Sequence, residues 1–192
     1  MEMRNFRILT AVVVAMTALN ALYLPLIFGS AWLFRVLYGV AILPHGLWLD
    51  QLATLFKIAT GILLLAWVYR AGRNLADLGV NDLEFTPDER VWWFAVPFAN
   101  LVVPYQGMRE LWNASRGRRN LGETEPLVVI WWGIWLARCV EILLARFVAD
   151  RLILLLLAIT EAALALVAIQ LVREIAANQA RLRSPRVAEV FA

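Results

Sequence analysis

Four long apolar stretches dominate this chain of 192 residues, and most of its arginines lie near only one end of those stretches. An apolar stretch of about 20 residues is long enough to cross the hydrocarbon core of a bilayer as a helix. The hydrophobic fraction is 62% and the charged fraction is 17%, so too few polar residues remain to cover a soluble domain. The sequence therefore predicts an all-α, polytopic membrane protein that forms a single membrane domain over residues 1–192.

The predicted transmembrane helices cover residues 8–28, 52–69, 126–148 and 152–172. The last two are separated only by a turn at residues 149–151, so they form a helical hairpin. The final helix is expected to continue beyond the membrane to about Arg183, because Ser184 and Pro185 then end its pattern. Residues 173–192 form a tail outside the membrane. Residues 30–50 are apolar but interrupted by aromatic and polar residues, which indicates a segment lying at the membrane interface.

Residues 87–115 predict two short helices and not a fifth span. Thr86, Pro87 and Glu89 form a helix-start pattern, in which Thr86 caps the helix and Glu89 completes a capping box. Pro97 and Pro104 interrupt the segment, because proline lacks the N–H that a helix interior requires. We expect a Pro-broken helical hairpin that is either re-entrant or interfacial.

The second of these short helices runs from Tyr105 to about Ser115 and is predicted to lie at the interface. Its expected apolar face holds Met108, Leu111 and Trp112, and its expected polar face holds Arg109, Glu110 and Asn113. A set of tryptophans is likewise typical of interface anchors. These are Trp92, Trp93, Trp112, Trp131, Trp132 and Trp135.

The distribution of basic residues predicts the orientation. If residues 91–112 do not cross the membrane, the amino terminus, residues 70–125 and the tail share one side, which then holds thirteen of the eighteen basic residues. If residues 91–112 do cross the membrane, the excess of basic residues on that side is reversed. Because basic residues concentrate on the cytoplasmic side, we expect four spans with both termini in the cytoplasm of a bacterial cell, in its inner membrane.

Four charged residues fall inside the predicted spans: Lys57, Arg138, Glu141 and Glu161. In a hairpin that turns near residue 150, Arg138 and Glu161 lie at nearly one depth, about 17 Å from the turn, and should pair. Glu141 lies one helical turn from Arg138, and Lys57 lies at a similar depth. Charged groups at such depth are costly and are usually paired. Three interpretations are open: an ion-pair latch between helices, a proton or ion path through Glu141 or Glu161, or contacts with a helix of a partner.

Several spaced runs resemble a known family. They are Trp67 to Leu75, Thr86-Pro87, Trp92 to Phe94, Pro97 to Leu101, Pro104 to Gln106 and Met108 to Trp112. Together they resemble a bacterial membrane family catalogued as domain of unknown function 4328, and this resemblance implies no known activity. The residues that carry it are Arg70, Arg73, Asn74, Thr86, Pro87, Trp93, Pro97, Asn100, Pro104, Tyr105, Met108, Glu110 and Trp112. The chain departs from the family pattern at residues 88–90, where small and aromatic residues are usual.

The sequence predicts membrane lipids as partners and excludes nucleic acid, because its basic residues flank spans and form no basic-aromatic groove. Arg109, Arg116, Arg118 and Arg119 are candidates for contact with anionic headgroups, although the positive-inside rule alone also requires such residues. We expect no cofactor, no metal and no catalytic residue. His45 is the only histidine, so it cannot supply paired haem ligands, and Cys139 is the only cysteine.

Two classes of function follow from these observations. The first is a non-catalytic membrane protein that associates with itself or with a larger membrane-protein partner. The second is a small oligomeric channel or transporter whose re-entrant hairpin lines the path.

Overall fold

The computed structural model describes residues 2–80, 82–148 and 151–183. It is 82% helical, with no strand in these ranges, and four of its helices are long and apolar enough to cross a membrane. The predicted fold class is therefore confirmed. Residues 149 and 150 of the predicted turn, and the Ser184-Pro185 stop with the rest of the tail, lie outside the described residues.

The four spanning helices are α1 (Glu2–Leu33), α3 (Gly46–Asp77), α6 (Pro126–Ala145) and α7 (Arg151–Leu182). Three of them have 32 residues, which corresponds to about 48 Å, whereas the 20 residues of α6 correspond to about 30 Å. Helices α1 and α3 extend beyond the predicted spans 8–28 and 52–69, because each continues through polar residues beyond its apolar run. The last helix ends at Leu182, one residue before the predicted end at Arg183.

A short chain of helical turns joins α1 to α3. It consists of α2 (Arg35–Leu37), a π-helical turn (Tyr38–Ile42) and a 3₁₀ turn (Leu43–His45). Trp32, Val36 and Leu47 are exposed along this connection. Of residues 30–50, which are predicted to be interfacial, the first four belong to α1 and the last five to α3.

The spanning helices pack in the order α3, α1, α7, α6, with α1 against both α3 and α7 and with α7 against α6. Phe6 of α1 stacks on Trp67 of α3, with ring centroids 5.8 Å apart. At the same end, the Asn74 Nδ2 group of α3 donates to Gln179 Oε1 of α7 at 3.2 Å. Both described chain ends therefore lie at the end of the bundle that carries residues 78–125, which we call the loop end.

Residues 87–115 contain no helix long enough to cross a membrane. The segment comprises α4 (Glu89–Trp92), a series of turns, a 3₁₀ turn (Ala99–Leu101) and α5 (Val103–Ser115). The 13 residues of α5 correspond to about 20 Å. The two-helix prediction is confirmed in outline, but the first helix has only four residues.

The predicted apolar face of α5 is buried, but two residues of its predicted polar face are buried as well. Glu110 and Asn113 are buried, as are Met108, Leu111 and Trp112. Helix α5 packs against α3, α6 and α7, so protein and not solvent surrounds its polar side chains.

The predicted anchoring role of several tryptophans was also wrong, because Trp112, Trp131 and Trp132 are buried in the protein core. The Trp132 ring stacks on Trp135 with centroids 4.5 Å apart, and Trp132 Nε1 donates to the carbonyl oxygen of Leu101 at 3.1 Å. These rings therefore hold the loop end together.

Candidate functional site

Three charged side chains meet near the middle of the bundle. Lys57 lies eleven residues into α3, Arg138 twelve into α6 and Glu161 ten into α7. At 1.5 Å per residue these positions are about 15–18 Å from the helix ends, close to the midplane of a hydrocarbon core about 30 Å thick. We call Lys57, Arg138 and Glu161 the mid-depth cluster.

The Glu161 carboxylate joins the three helices of this cluster. Lys57 Nζ lies 3.0 Å from Glu161 Oε1 and 3.1 Å from Oε2. Arg138 Nη2 lies 3.1 Å from Oε2, the pairing that the depth argument predicts, and Arg138 Nη1 is 3.4 Å from the Leu157 carbonyl oxygen. Glu161 is only 8% exposed. One buried carboxylate therefore holds a cation from α3 and another from α6.

Glu141 does not belong to this cluster, so the predicted balance of two cations and two carboxylates was wrong. Glu141 Oε1 accepts a hydrogen bond from Thr160 Oγ1 at 2.8 Å, and it makes no ion pair within the described part of the chain. Its other oxygen, Oε2, is buried without a hydrogen-bond partner among the described residues. The mid-depth cluster thus has two cations for one anion.

A cavity of about 300 Å³ lies beside the mid-depth cluster. All three charged residues line it, together with polar side chains from α1 and α3. Asn20 Nδ2 of α1 donates to Thr60 Oγ1 of α3 at 2.6 Å, and Thr60 in turn donates to the Phe56 carbonyl oxygen at 2.8 Å. The apolar part of the wall includes Phe94, Trp131 and Trp135.

A second pair of charges is buried at the loop end, where Arg90 is 2% exposed and Glu110 is 4% exposed. Arg90 Nη2 lies 2.7 Å from Glu110 Oε2, and Arg90 Nη1 donates to the carbonyl oxygen of Gly107 at 2.5 Å. The Glu110 carboxylate also accepts the backbone N–H groups of Glu84 and Phe85. Burial lowers the pKa of the Arg90 guanidinium, and the Glu110 carboxylate opposes that shift.

Close packing of the backbone supports this pair. A Cβ atom at Gly72 of α3 would lie 3.3 Å from Arg90 Cδ and 3.4 Å from Pro87 Cα. The predicted capping box forms, since the Glu89 N–H donates to Thr86 Oγ1 at 3.3 Å and the Thr86 N–H donates to the Glu89 carboxylate at 2.9 Å. These Thr86 N–H and hydroxyl groups hold the pKa of Glu89 below its ordinary value.

Gln179 of α7 forms the centre of a buried amide network. Its Nε2 group donates to the Ala71 carbonyl oxygen at 3.0 Å and lies 3.1 Å from Ser115 Oγ, while its Oε1 accepts from Asn74. Ser115 donates to the Leu111 carbonyl oxygen at 2.7 Å. The network joins α3, α5 and α7 at the loop end.

The four arginines proposed to contact lipid differ in their surroundings. Arg118 Nη1 lies 3.1 Å from a Glu125 oxygen and 3.3 Å from a Glu123 oxygen. Arg116 lies 3.7 Å from Glu125. Arg109 packs its guanidinium over Tyr105, 5.6 Å from the ring centroid, and Arg119 is exposed. Two of the four charges thus have acidic neighbours within the protein.

The remaining residues of the family-like motif lie around the same end. Trp93 and Asn100 are half-buried and Pro97 is exposed in the turns that follow α4, whereas Pro104 is buried at the start of α5. Arg73 Nη1 lies 3.5 Å from the Tyr69 hydroxyl, and Arg70 lines a groove with residues of α1.

No group of three or more His, Cys, Asp or Glu side chains within the described ranges is arranged to hold a metal ion. Cys139 is an exposed free thiol, and His45 lies in the α1–α3 connection, where its Nδ1 is 3.2 Å from the Ala41 carbonyl oxygen.

Residues 46–177 match the family described as Domain of unknown function (DUF4328). The chain belongs to this family. The DUF4328 match starts at the first residue of α3 and extends into α7, so it contains the mid-depth cluster and the Arg90–Glu110 pair. Helix α1 lies outside it. No curated protein and no solved structure matches the chain.

Sequence reasoning missed several buried polar residues of this DUF4328 protein. Arg90 was noted only as part of a departure from the family pattern. No periodicity relates Arg90 to Glu110 or Asn74 to Gln179, so no local sequence pattern could predict that these residues pair. Gly72 had a local signal, since a glycine close to the end of a predicted span often marks a close approach of another backbone.

Proposed function

We propose that this DUF4328 protein is a non-catalytic component of the bacterial cytoplasmic membrane that associates with itself or with a larger membrane protein. The observation that supports this proposal is the mid-depth cluster, in which Glu161 bonds cations from two other helices. Removing one partner of a buried ion pair leaves an uncompensated charge, which is strongly destabilising. Such a cluster suits a latch that holds helices in place, because one carboxylate on α7 is bonded to a cation on α3 and to another on α6.

A double-mutant cycle tests the latch. We expect Glu161→Gln and Arg138→Gln each to destabilise the protein, and the double variant to cost less than the sum by about 0.5–3 kcal/mol. Glu174→Gln, on the same helix but facing the loop end, is the matched control and should change little. Additive effects in reversible detergent unfolding would contradict the latch.

A mass measurement tests the association. The protein should be isolated at native expression level into nanodiscs, and the particle mass should then be compared with the chain mass of 21.7 kDa. We expect either a whole-number multiple of the chain or a stoichiometric larger partner. A particle holding one copy of the chain and only lipid would overturn the proposed association.

We further propose that both termini and residues 78–125 face the cytoplasm, where Arg109 and Arg119 contact anionic headgroups. Support comes from the positive-inside rule together with the shared location of these segments at the loop end. The bond from Trp132 to Leu101, and Phe94 in the cavity wall, support a re-entrant segment beside α6.

Labelling tests the orientation. In a Cys139→Ala background, Arg119→Cys should react with a membrane-impermeant thiol reagent only after cells are opened, because Arg119 is exposed at the loop end. Reaction in intact cells would place the loop end outside.

A second candidate function is a small proton channel or transporter, which the unpartnered Glu141 Oε2 atom favours. Thr160 hydrogen-bonds Glu141 and is adjacent in sequence to Glu161, so two intramembrane carboxylates lie at similar depth on α6 and α7. In liposomes, this function predicts a proton flux that Glu141→Gln abolishes while the helical content is unchanged. An equal flux in liposomes without protein would exclude this function.

A further inference from the structure

The bundle has a gap between α3 and α6. Helix α1 contacts α3 and α7, and α7 contacts α6, but α3 and α6 barely contact each other. The cavity of about 300 Å³ lies in this gap, with its wall formed by all four spanning helices and by Phe94. A Cβ atom at Gly61, on the α3 side of the cavity, would meet no other atom within 4 Å. The cavity is at the small end of the range of roughly 300–1,000 Å³ for ligand sites.

The charge in this cavity is not balanced. Lys57 and Arg138 share the single carboxylate of Glu161, so one positive charge remains without an anion in the cluster. Lys57 is the more accessible cation, with 35% of its side chain exposed against 16% for Arg138. An ammonium has three donors, and Glu161 accounts for contacts to two carboxylate oxygens. A ligand anion in the cavity would therefore supply the missing countercharge.

The rest of the wall indicates which kind of anion fits. Phe94, Trp131 and Trp135 form an aromatic part, while Asn20 and Thr60 form a neutral polar part near Lys57. The three charged residues lie about 15–18 Å from the first residues of their helices, at the depth of the hydrocarbon core, so a ligand arrives through hydrocarbon and not from bulk water. A carboxylic acid can cross that region in its neutral form, unlike a permanently charged headgroup, and can then ionise beside a cation.

We propose that this cavity binds the carboxylate of a single-chain fatty acid, with Lys57 as its counter-ion and the aromatic wall against its acyl chain. This goes beyond the proposed structural role of the mid-depth cluster. The larger groove, of about 690 Å³, between α1 and α7 is a weaker candidate, because its arginines, Arg7 and Arg173, are both exposed.

Tryptophan quenching by a brominated fatty acid tests the proposal, because Trp131 and Trp135 line the cavity. The full chain in phosphatidylcholine nanodiscs is titrated with dibromostearic acid and, separately, with its methyl ester. We expect the acid to quench at a concentration about tenfold lower than the ester, since only the acid pairs with Lys57. Trp135→Phe should reduce the quenching amplitude at saturation.

Charge variants separate specific binding from general enrichment in the bilayer. Lys57→Met should remove the tenfold preference for the acid, and Lys57→Arg should keep most of it. Arg146→Met, which removes an exposed cation at the end of α6, is the matched control and should leave the preference unchanged. Equal quenching by acid and ester in the natural protein would overturn the proposal even if Lys57→Met failed to fold. A preference retained in a folded Lys57→Met variant would also overturn it.

Discussion

Replacing Arg90 by methionine should destabilise the loop end severely, although Arg90 lies outside every predicted span. The guanidinium is 2% exposed and bonds Glu110 and the Gly107 carbonyl oxygen. Removing one member of a buried ion pair typically costs about 3–5 kcal/mol, because the other charge stays buried. Glu110 keeps the backbone N–H groups of Glu84 and Phe85 as donors. We therefore expect the free energy of unfolding to fall by an amount near the lower limit of this range, about 3 kcal/mol.

The second step is a cycle with Glu110→Gln, which removes the charge but retains one oxygen for the backbone donors. Each single variant leaves one buried charge unpaired, whereas the double variant Arg90→Met/Glu110→Gln leaves none. The double variant should therefore lose about 2 kcal/mol less stability than the sum of the two single variants, which is within the range seen for contacting residues.

The assay is reversible unfolding in mixed detergent micelles, followed by helical circular dichroism. Arg119→Met makes the same chemical change at an exposed position of the loop end and is the control. An Arg90→Met protein whose free energy of unfolding lies within about 1 kcal/mol of that of Arg119→Met, about one third of the expected effect, would refute the role of this ion pair. An additive cycle would refute it as well.

Three further predictions concern the loop end. Gly72→Ala should be less stable than Gly133→Ala by about 1–3 kcal/mol in the same unfolding assay, because only the methyl group at residue 72 meets a buried neighbour. Equal stability of the two variants would show that the surroundings of residue 72 relax freely. Gln179→Leu should cost about 2–3 kcal/mol by leaving buried polar groups without partners, and a neutral result would mean that water replaces the amide. Thr86 lowers the pKa of Glu89 from its ordinary value of 4.5, so the contribution of Glu89 is present above about pH 4.5 and is lost as the pH falls. Glu89→Gln should therefore reduce thermal stability at pH 7, and the stabilities of the variant and the natural protein should become equal in more acidic buffer. A difference in stability that does not change with pH would contradict this.

The sequence by itself determined the membrane architecture of this protein. Apolar runs of about 20 residues have few alternatives to spanning helices, because every backbone polar group in hydrocarbon must be satisfied within the helix. Two prolines seven residues apart likewise excluded a straight fifth span. Depth along a helix follows from counting residues, which is why Arg138 and Glu161 could be paired from the sequence.

Only the tertiary structure decided which polar groups share an environment. Depth does not specify the direction in which a side chain points, so Glu141 was grouped with Arg138 although it bonds Thr160. The burial of Glu110 and Asn113 was missed because it results from the packing of α5 against α3, α6 and α7. The pattern of residues within one helix does not show which other helices surround it. The cavity beside Lys57 has the same origin, since it exists only because α3 and α6 are held apart by α1 and α7. Contacts between residues distant in sequence depend on packing, and packing has no period along the chain.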